Sequence, residues 1–170
     1  MQTLDGCSYQ KGTAMADKKP FFTVSGIVEA PQPQVAGLLM RAQPGPVGPD
    51  NALYLNPKGK GKGGKGWVLK GGPTSFRATI PGDMGGGMKY EIDPRTSTIL
   101  TEGMWWFRGI FRIEPDPRGT RVVQEGYDIA TKAKFLVPFI KRGFPKEQRK
   151  MVAGLLDQIG SRLGVKAYLD

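Results

Sequence analysis

The sequence predicts an α+β fold, a curved antiparallel sheet of about six or seven strands wrapped on a long C-terminal helix. Three observations predict it. Between residues 88 and 129, apolar and polar residues alternate in successive runs separated by turn residues. Beyond Pro145, apolar residues recur at helical spacing as far as Gly164. The 25 glycines and 14 prolines in 170 residues favour turns and short elements over a helical bundle. A bent sheet closed by a helix is a container, so ligand binding is the leading functional idea.

Each element has its own signal. Residues 1–19 are polar and without period, and are expected to form a flexible N-terminal extension. Met15, followed by Ala16, Asp17, Lys18 and Lys19, reads as a natural start. Residues 20–170 are expected to form one domain, a size for which a 39 % hydrophobic content supplies a core. Residues 21–30 read as the first strand. Pro31 and Pro33 then suit the first turn of a short helix carrying Val35, Leu38 and Leu39, stopped near Gln43 by Pro44, Gly45 and Pro46. Residues 48–66 are the least regular.

Trp67, Val68 and Leu69 resume as a strand, and Phe76, Ala78 and Ile80 mark the next. Met88, Tyr90 and Ile92 then alternate with Lys89, Glu91 and Asp93. Asp93 and Pro94 turn the chain into a strand over 98–103. A further strand, 105–114, places Phe107, Gly109, Phe111 and Ile113 on one face and Trp106, Arg108, Ile110 and Arg112 on the other. Turn residues Asp116, Pro117, Arg118 and Gly119 lead into a last strand over 121–129. Strands joined by such short turns must be antiparallel. In the final helix, Val152, Leu155, Leu156, Ile159 and Leu163 form one apolar stripe, and Gly164 suits its C-terminal cap. Gly154 and Gly160 weaken that helix by roughly 1 kcal/mol each relative to Ala. They either permit close approach to the sheet or leave room for a ligand beneath the helix, and close packing is the favoured reading.

Composition excludes whole classes of chemistry. There is no histidine, which removes a Ser/His/Asp triad, a Cys/His pair and a His-based metal site. The single cysteine, Cys7, permits neither an internal disulfide nor a cysteine metal cluster. No metal and no cofactor are expected. No stretch approaches the roughly 18 apolar residues of a membrane span, and no signal pattern opens the chain, so a cytoplasmic location is expected.

The net charge of +10 could attract phosphate-rich partners. The excess is concentrated in two segments, Lys58, Lys60, Lys62, Lys65 and Lys70, and then Lys132, Lys134, Lys141, Arg142, Lys146, Arg149 and Lys150. A basic loop and solvated helix ends account for both, and no specific nucleic-acid partner is expected. Trp105 and Trp106 lie in a strongly apolar strand and are read as buried. Gly59, Gly61 and Gly64 satisfy G-x-G-x-x-G. Gly59, Gly64 and Lys65 come close to a phosphate loop, but Gly66 stands where the magnesium-binding hydroxyl belongs and a strand follows instead of a helix. The match follows from low complexity.

The order of elements resembles the START-like or SRPBCC superfamily, the helix-grip fold of lipid-transfer domains, pollen-allergen-like proteins and polyketide cyclases. The resemblance covers residues 21–165. It is carried by Phe22, Val24, Ile27, Glu29, Ala30 and Pro31 at the start, and by Thr120, Arg121, Val122, the segment 135–139, Met151, Leu155 and Leu156 at the end. The sequence departs from it at residues 48–66, where Gly and Lys replace a second short helix.

The resemblance implies an apolar cavity between sheet and helix. Tyr90, Trp106, Arg108, Glu125 and Tyr127, with Leu155 and Ile159 on the helix, are the candidate cavity residues. Each also has an ordinary structural reading, Arg108 and Glu125 as a cross-strand pair on the outer face, for example. The leading function is binding or transport of a hydrophobic small molecule or lipid. A cyclase or dehydratase is second, with the missing histidine and carboxylate pair weighing against catalysis. A basic nucleic-acid-binding module is third. A further feature is the apolar run Phe135, Leu136, Val137, Phe139 and Ile140, flanked by Lys132, Lys134, Lys141 and Arg142. Such a segment either touches an anionic membrane transiently or packs its apolar residues under the helix.

Overall fold

The computed structural model describes residues 18–55, 66–82, 87–103 and 105–170. Residues 1–17 of the expected N-terminal extension, and 56–65 of the glycine–lysine run, lie outside the described residues.

Among the described residues, nine strands form a single antiparallel sheet. In chain order they are β1 (Phe22–Val28), β2 (Gly45–Pro46), β3 (Val68–Gly71), β4 (Ser75–Thr79), β5 (Met88–Asp93), β6 (Thr98–Gly103), β7 (Phe107–Asp116), β8 (Gly119–Asp128) and β9 (Ala167–Leu169). Three α-helices of the described residues accompany them, α1 (Gln32–Leu39), α2 (Val137–Lys141) and α3 (Phe144–Leu163). Across the sheet the order is β2-β3-β4-β5-β6-β7-β8-β1-β9. The expected six or seven strands become nine because β2 and β9 are two and three residues long. Elements that short carry no readable alternation and exist only through their pairing with β3 and β1.

The two longest strands fix which face is inside. Along β7, Phe107, Gly109, Phe111 and Ile113 are buried while the residues between them are half-buried. The β7–β8 turn is set by Asp116, whose Oδ1 accepts the Arg118 N–H at 3.0 Å, and by Gly119, whose φ of 131° no side chain adopts easily. That turn pairs Phe111 with Gln124 and Ile113 with Val122, so Val122, Gln124 and Gly126 face inward too. Through β1 the same face continues as Phe22, Val24, Gly26 and Val28. Through β6, β5 and β4 it continues as Ile99 and Thr101, Tyr90 and Ile92, and Phe76 and Ala78.

Helix α3 lies over this face closest to β1 and β9, with Val152, Leu155, Leu156 and Ile159 buried. Its stripe and its cap follow the expected pattern, and Gly164 closes it at φ 66°. The chain does not stay helical to its end, since residues 167–169 return as edge strand β9. Close approach explains two inward glycines. A Cβ on Gly26 would collide with Leu156 and sit 2.8 Å from the Tyr168 carbonyl oxygen, and one on Gly160 would sit 2.9 Å from the Val165 carbonyl oxygen. Helix α1 packs Val35 and Leu39 into the opposite end of the core, near β7 and β8. Among the described residues no helix is long and apolar enough to cross a membrane.

Candidate functional site

The space between the sheet and α3 has two zones. Toward the start of α3, Phe144 meets Phe107 (ring centroids 4.8 Å apart), Trp106 (5.1 Å), Phe22 (6.0 Å) and Phe21 (6.1 Å). Deeper in, the interior turns partly polar. A short helical turn, Leu53–Leu55, inserts Tyr54 against Phe111 at 5.0 Å and Tyr90 at 6.5 Å. Gln124 Nε2 donates to the Tyr54 hydroxyl oxygen at 2.9 Å and to Gln148 Oε1 on α3 at 2.8 Å. Burial pushes the Tyr54 phenol up to about 12, against hydrogen bonds from Thr101 and Gln124 that act the other way. Tyr90 is raised further, by burial first and then by its neighbour Tyr54.

Among the described residues, three buried side-chain polar atoms have no hydrogen-bond partner: the Tyr90 hydroxyl, Trp106 Nε1 and Gln124 Oε1. Each such orphan costs about 1–3 kcal/mol relative to a satisfied group. A core built only for stability would hold Phe, Phe and Leu or Met at these positions.

The interior is tightly enclosed. Tyr90, Trp106, Phe111, Leu155 and Ile159 are fully buried. Two clefts lined by described residues lie elsewhere and are open to solvent. One, of about 540 Å³, runs beside β4 to β6 and is lined by Ser75, Arg77, Lys89 and Glu102. The other, of about 570 Å³, lies between the end of α3 and β9, along Asp157, Ser161 and Lys166.

The structure divides the seven candidate cavity residues. Tyr90, Leu155 and Ile159 are all buried, Tyr90 beside Tyr54 and Phe76 and the two helix residues on the stripe of α3, and Trp106 lies in the aromatic zone. Arg108, Glu125 and Tyr127 do not line it. The β7–β8 register pairs Arg108 with Tyr127 and Ile110 with Glu125, one residue out of step with the inward set, and puts all three on the outer face. There Arg108 pairs with Glu102 across β6. Arg112 grips Glu125 with both terminal nitrogens, at 2.6 and 2.9 Å, and the Tyr127 hydroxyl donates to Glu125 Oε2 at 2.7 Å. Burial raises the Glu125 carboxyl, but Arg112 and Tyr127 outweigh it and hold it below its ordinary value. Burial, then Glu125, pushes Tyr127 up to about 12. These are the groups of a satisfied surface ladder.

Reading the strands by residue type missed Tyr54, Thr101, Gln124 and Gln148. The pairing across the 116–119 turn contained the signal for Gln124, because an inward Phe111 requires its partner to face inward. Trp105 also departs from expectation. It sits in the turn before β7 and is 42 % exposed, while Trp106 is buried as expected.

The segment 132–146 projects from the near end of this interior. Val137 is buried and Lys141 is tied down, its Nζ donating to Asp128 Oδ2 at 2.7 Å and lying 4.8 Å over the Phe21 ring. The other apolar side chains of this run do not pack under α3. Phe135 and Phe139 are 73 % and 78 % exposed, and Leu136 and Ile140 also face solvent.

No family model matches the chain, and no curated protein matches it. Solved structures do resemble it. A protein from Nitrosospira multiformis superposes with a TM-score of 0.51 at 15 % identity, over 84 % of this chain and 99 % of that one. One from Thermus thermophilus gives 0.42 at 13 % identity, over 83 % and 99 %. The first of these likenesses establishes a shared fold and nothing about ligands.

Proposed function

We propose that this chain is a START-like, helix-grip protein that binds or carries a hydrophobic small molecule or lipid between the concave sheet face and α3. The observation that carries the reading is the set of orphaned polar atoms on Tyr90, Trp106 and Gln124 inside a mostly apolar interior. An apolar lining with a few placed polar groups is the usual composition of a small-molecule site. A ligand with a hydrogen-bonding head and an apolar body would satisfy those groups and replace the packing it displaces. Because Tyr90, Trp106 and Gln124 are themselves fully buried, uptake requires a side chain beside them to withdraw. Tyr54 is the one whose support is a single helical turn outside the sheet.

A cyclase or dehydratase has less behind it. Among the described residues no Asp or Glu is buried, and Glu125 is engaged by Arg112 on the outer face. Tyrosines raised to about 12 or beyond stay protonated near neutral pH and cannot serve as bases there.

The test is native mass spectrometry of protein purified from its own source, followed by uptake of a fluorescent fatty acid by the delipidated chain, with tryptophan emission as the readout. A retained small molecule, or saturable uptake that changes the emission, is expected. Protein that arrives empty and takes up no probe would overturn the reading.

A further inference from the structure

The geometry points to a second, separate surface: the segment 132–146 docks on an anionic lipid bilayer, with Phe135, Leu136, Phe139 and Ile140 entering the interface and the flanking cations binding lipid phosphates. Of the six large apolar side chains exposed among the described residues, four lie within residues 135–140. Scattered exposed apolar residues need no explanation, but a contiguous group on one short helix and its preceding turn does.

Charge selects the occupant. Residues 131–146 contain Lys132, Lys134, Lys141, Arg142 and Lys146 and no Asp or Glu. Lys141 is neutralised by Asp128, whereas Lys132, Lys134, Arg142 and Lys146 carry no ion pair among the described residues. An apolar crest ringed by unpaired cations is the complement of a negatively charged membrane, whose surface attracts cations and whose acyl boundary accepts rings. It is a poor complement to a second copy of itself, since joining two such faces sets like charges together. Nucleic acid would use only part of it: Phe135 and Phe139 have flat faces for bases, but Leu136 and Ile140 do not, whereas an acyl boundary takes all four.

The anchoring supports the same use. Val137 and the Lys141–Asp128 pair hold the segment to the body, and Phe139, on the helix between them, points away from it. The rings therefore enter a flat interface without unfolding anything. The surface stands beside the aromatic zone around Phe144, but the inference does not require the interior to take a ligand.

The experiment is co-sedimentation of the full chain with phosphatidylcholine vesicles, with and without phosphatidylserine, beside the variants Phe135→Ser/Phe139→Ser and Lys132→Glu/Lys134→Glu. Wild type is expected to bind only the anionic vesicles and to be released by salt. Removing each cation should weaken binding about fivefold, with charge reversal weakening it more, and removing the two rings should weaken it by at least about tenfold. These side chains are exposed, so melting temperatures should not move, which separates lost docking from lost folding. Equal binding to neutral vesicles, or no effect of either variant, overturns the proposal. So does sedimentation equilibrium showing a dimer that the Phe variant dissociates, or salt-resistant oligonucleotide binding that it abolishes. Vesicle binding by a chain that arrives empty and takes up no fatty acid would sink the interior-ligand reading alone, and uptake without vesicle binding would sink this one alone.

Discussion

Replacing Gln124 with Met tests whether the polar interior belongs to stability or to function. Gln124 is 1 % exposed, donates two hydrogen bonds and leaves its carbonyl oxygen unpaired. Gln124→Met keeps the length of the side chain and removes all three features. The two lost hydrogen bonds are worth about 0.5–1.5 kcal/mol each. Gln148 is half-buried and recovers water, and the Tyr54 hydroxyl keeps Thr101. Against this, the variant removes an orphaned carbonyl costing about 1–3 kcal/mol and places a thioether against Phe111 and Tyr54. The terms nearly cancel, so stability at pH 7 should change by no more than about 1 kcal/mol in either direction. In a domain of this size that is a melting shift of about 2–4 °C. Uptake of a fatty-acid probe, by contrast, should fall severalfold, because the variant has lost the group that would meet the ligand head. Thermal denaturation followed by circular dichroism and a probe titration read the two effects separately. A loss of more than about 3 kcal/mol would refute the reasoning, by showing a structural network whose members are all needed. Unaltered probe affinity would refute it equally.

Two further outcomes follow from packing and charge. Gly26→Ala should destabilise by roughly 1–3 kcal/mol, because its methyl group meets Leu156 and the Tyr168 carbonyl between β1, α3 and β9. Gly37→Ala, with no atom within 4 Å of the new methyl group on α1, should instead stabilise by about 0.5–1 kcal/mol. A urea titration in which Gly26→Ala failed to destabilise would contradict the packing described for α3. The Glu125 carboxyl titrates below its ordinary value of 4.5 when folded. Its contribution is therefore complete above that value and disappears as pH falls through the lower folded one. Glu125→Gln should cost about 1 kcal/mol at pH 7 and nothing at a pH below the folded value, where both side chains are neutral. A wild-type and variant pair whose melting temperatures differ equally at pH 7 and pH 3 would contradict that assignment.

The sequence made the architecture legible wherever an element was long enough to repeat its own period. The ten-residue strands β7 and β8 and the twenty-residue helix α3 each show several turns of the pattern, and their order along the chain follows from the turns between them. β2 and β9 were invisible because two or three residues have no period. The candidate site was half legible for a different reason. Amphipathic residues on adjacent strands share a face only through the register, and a choice of face based on residue type put Arg108, Glu125 and Tyr127 inside. The charged alternation of Arg108, Arg112 and Glu114 against Phe107, Phe111 and Ile113 already marked the outer side. Carrying it across the turn at Gly119 would have exchanged Glu125 for Gln124. Tyr54 had no such signal, since its segment enters the core from an irregular connection after α1.

Stability does not account for the two places where the chain breaks its own rules. An open sheet of nine strands has two edges, each presenting unpaired backbone groups to other chains. This chain blunts both. β2 is two residues long and ends in Pro46, and β9 is three residues long with the Asp170 carboxylate held by Arg118 and Arg121 at 3.1 and 2.7 Å. A sequence that disarms its edges in this way still leaves Phe135 and Phe139 in water, where Ser or Lys would lose no packing. It also places three orphaned polar atoms where Phe or Leu would fill the same space. Neither departure strengthens the fold, and the function proposed above uses both, one in the interior and one beside the opening turn of α3. Local rules are broken at functional sites at some expense to the fold. If substitutions at both places left stability unmoved and also left lipid binding unmoved, that logic would fail for this molecule, and the two features would have no common explanation.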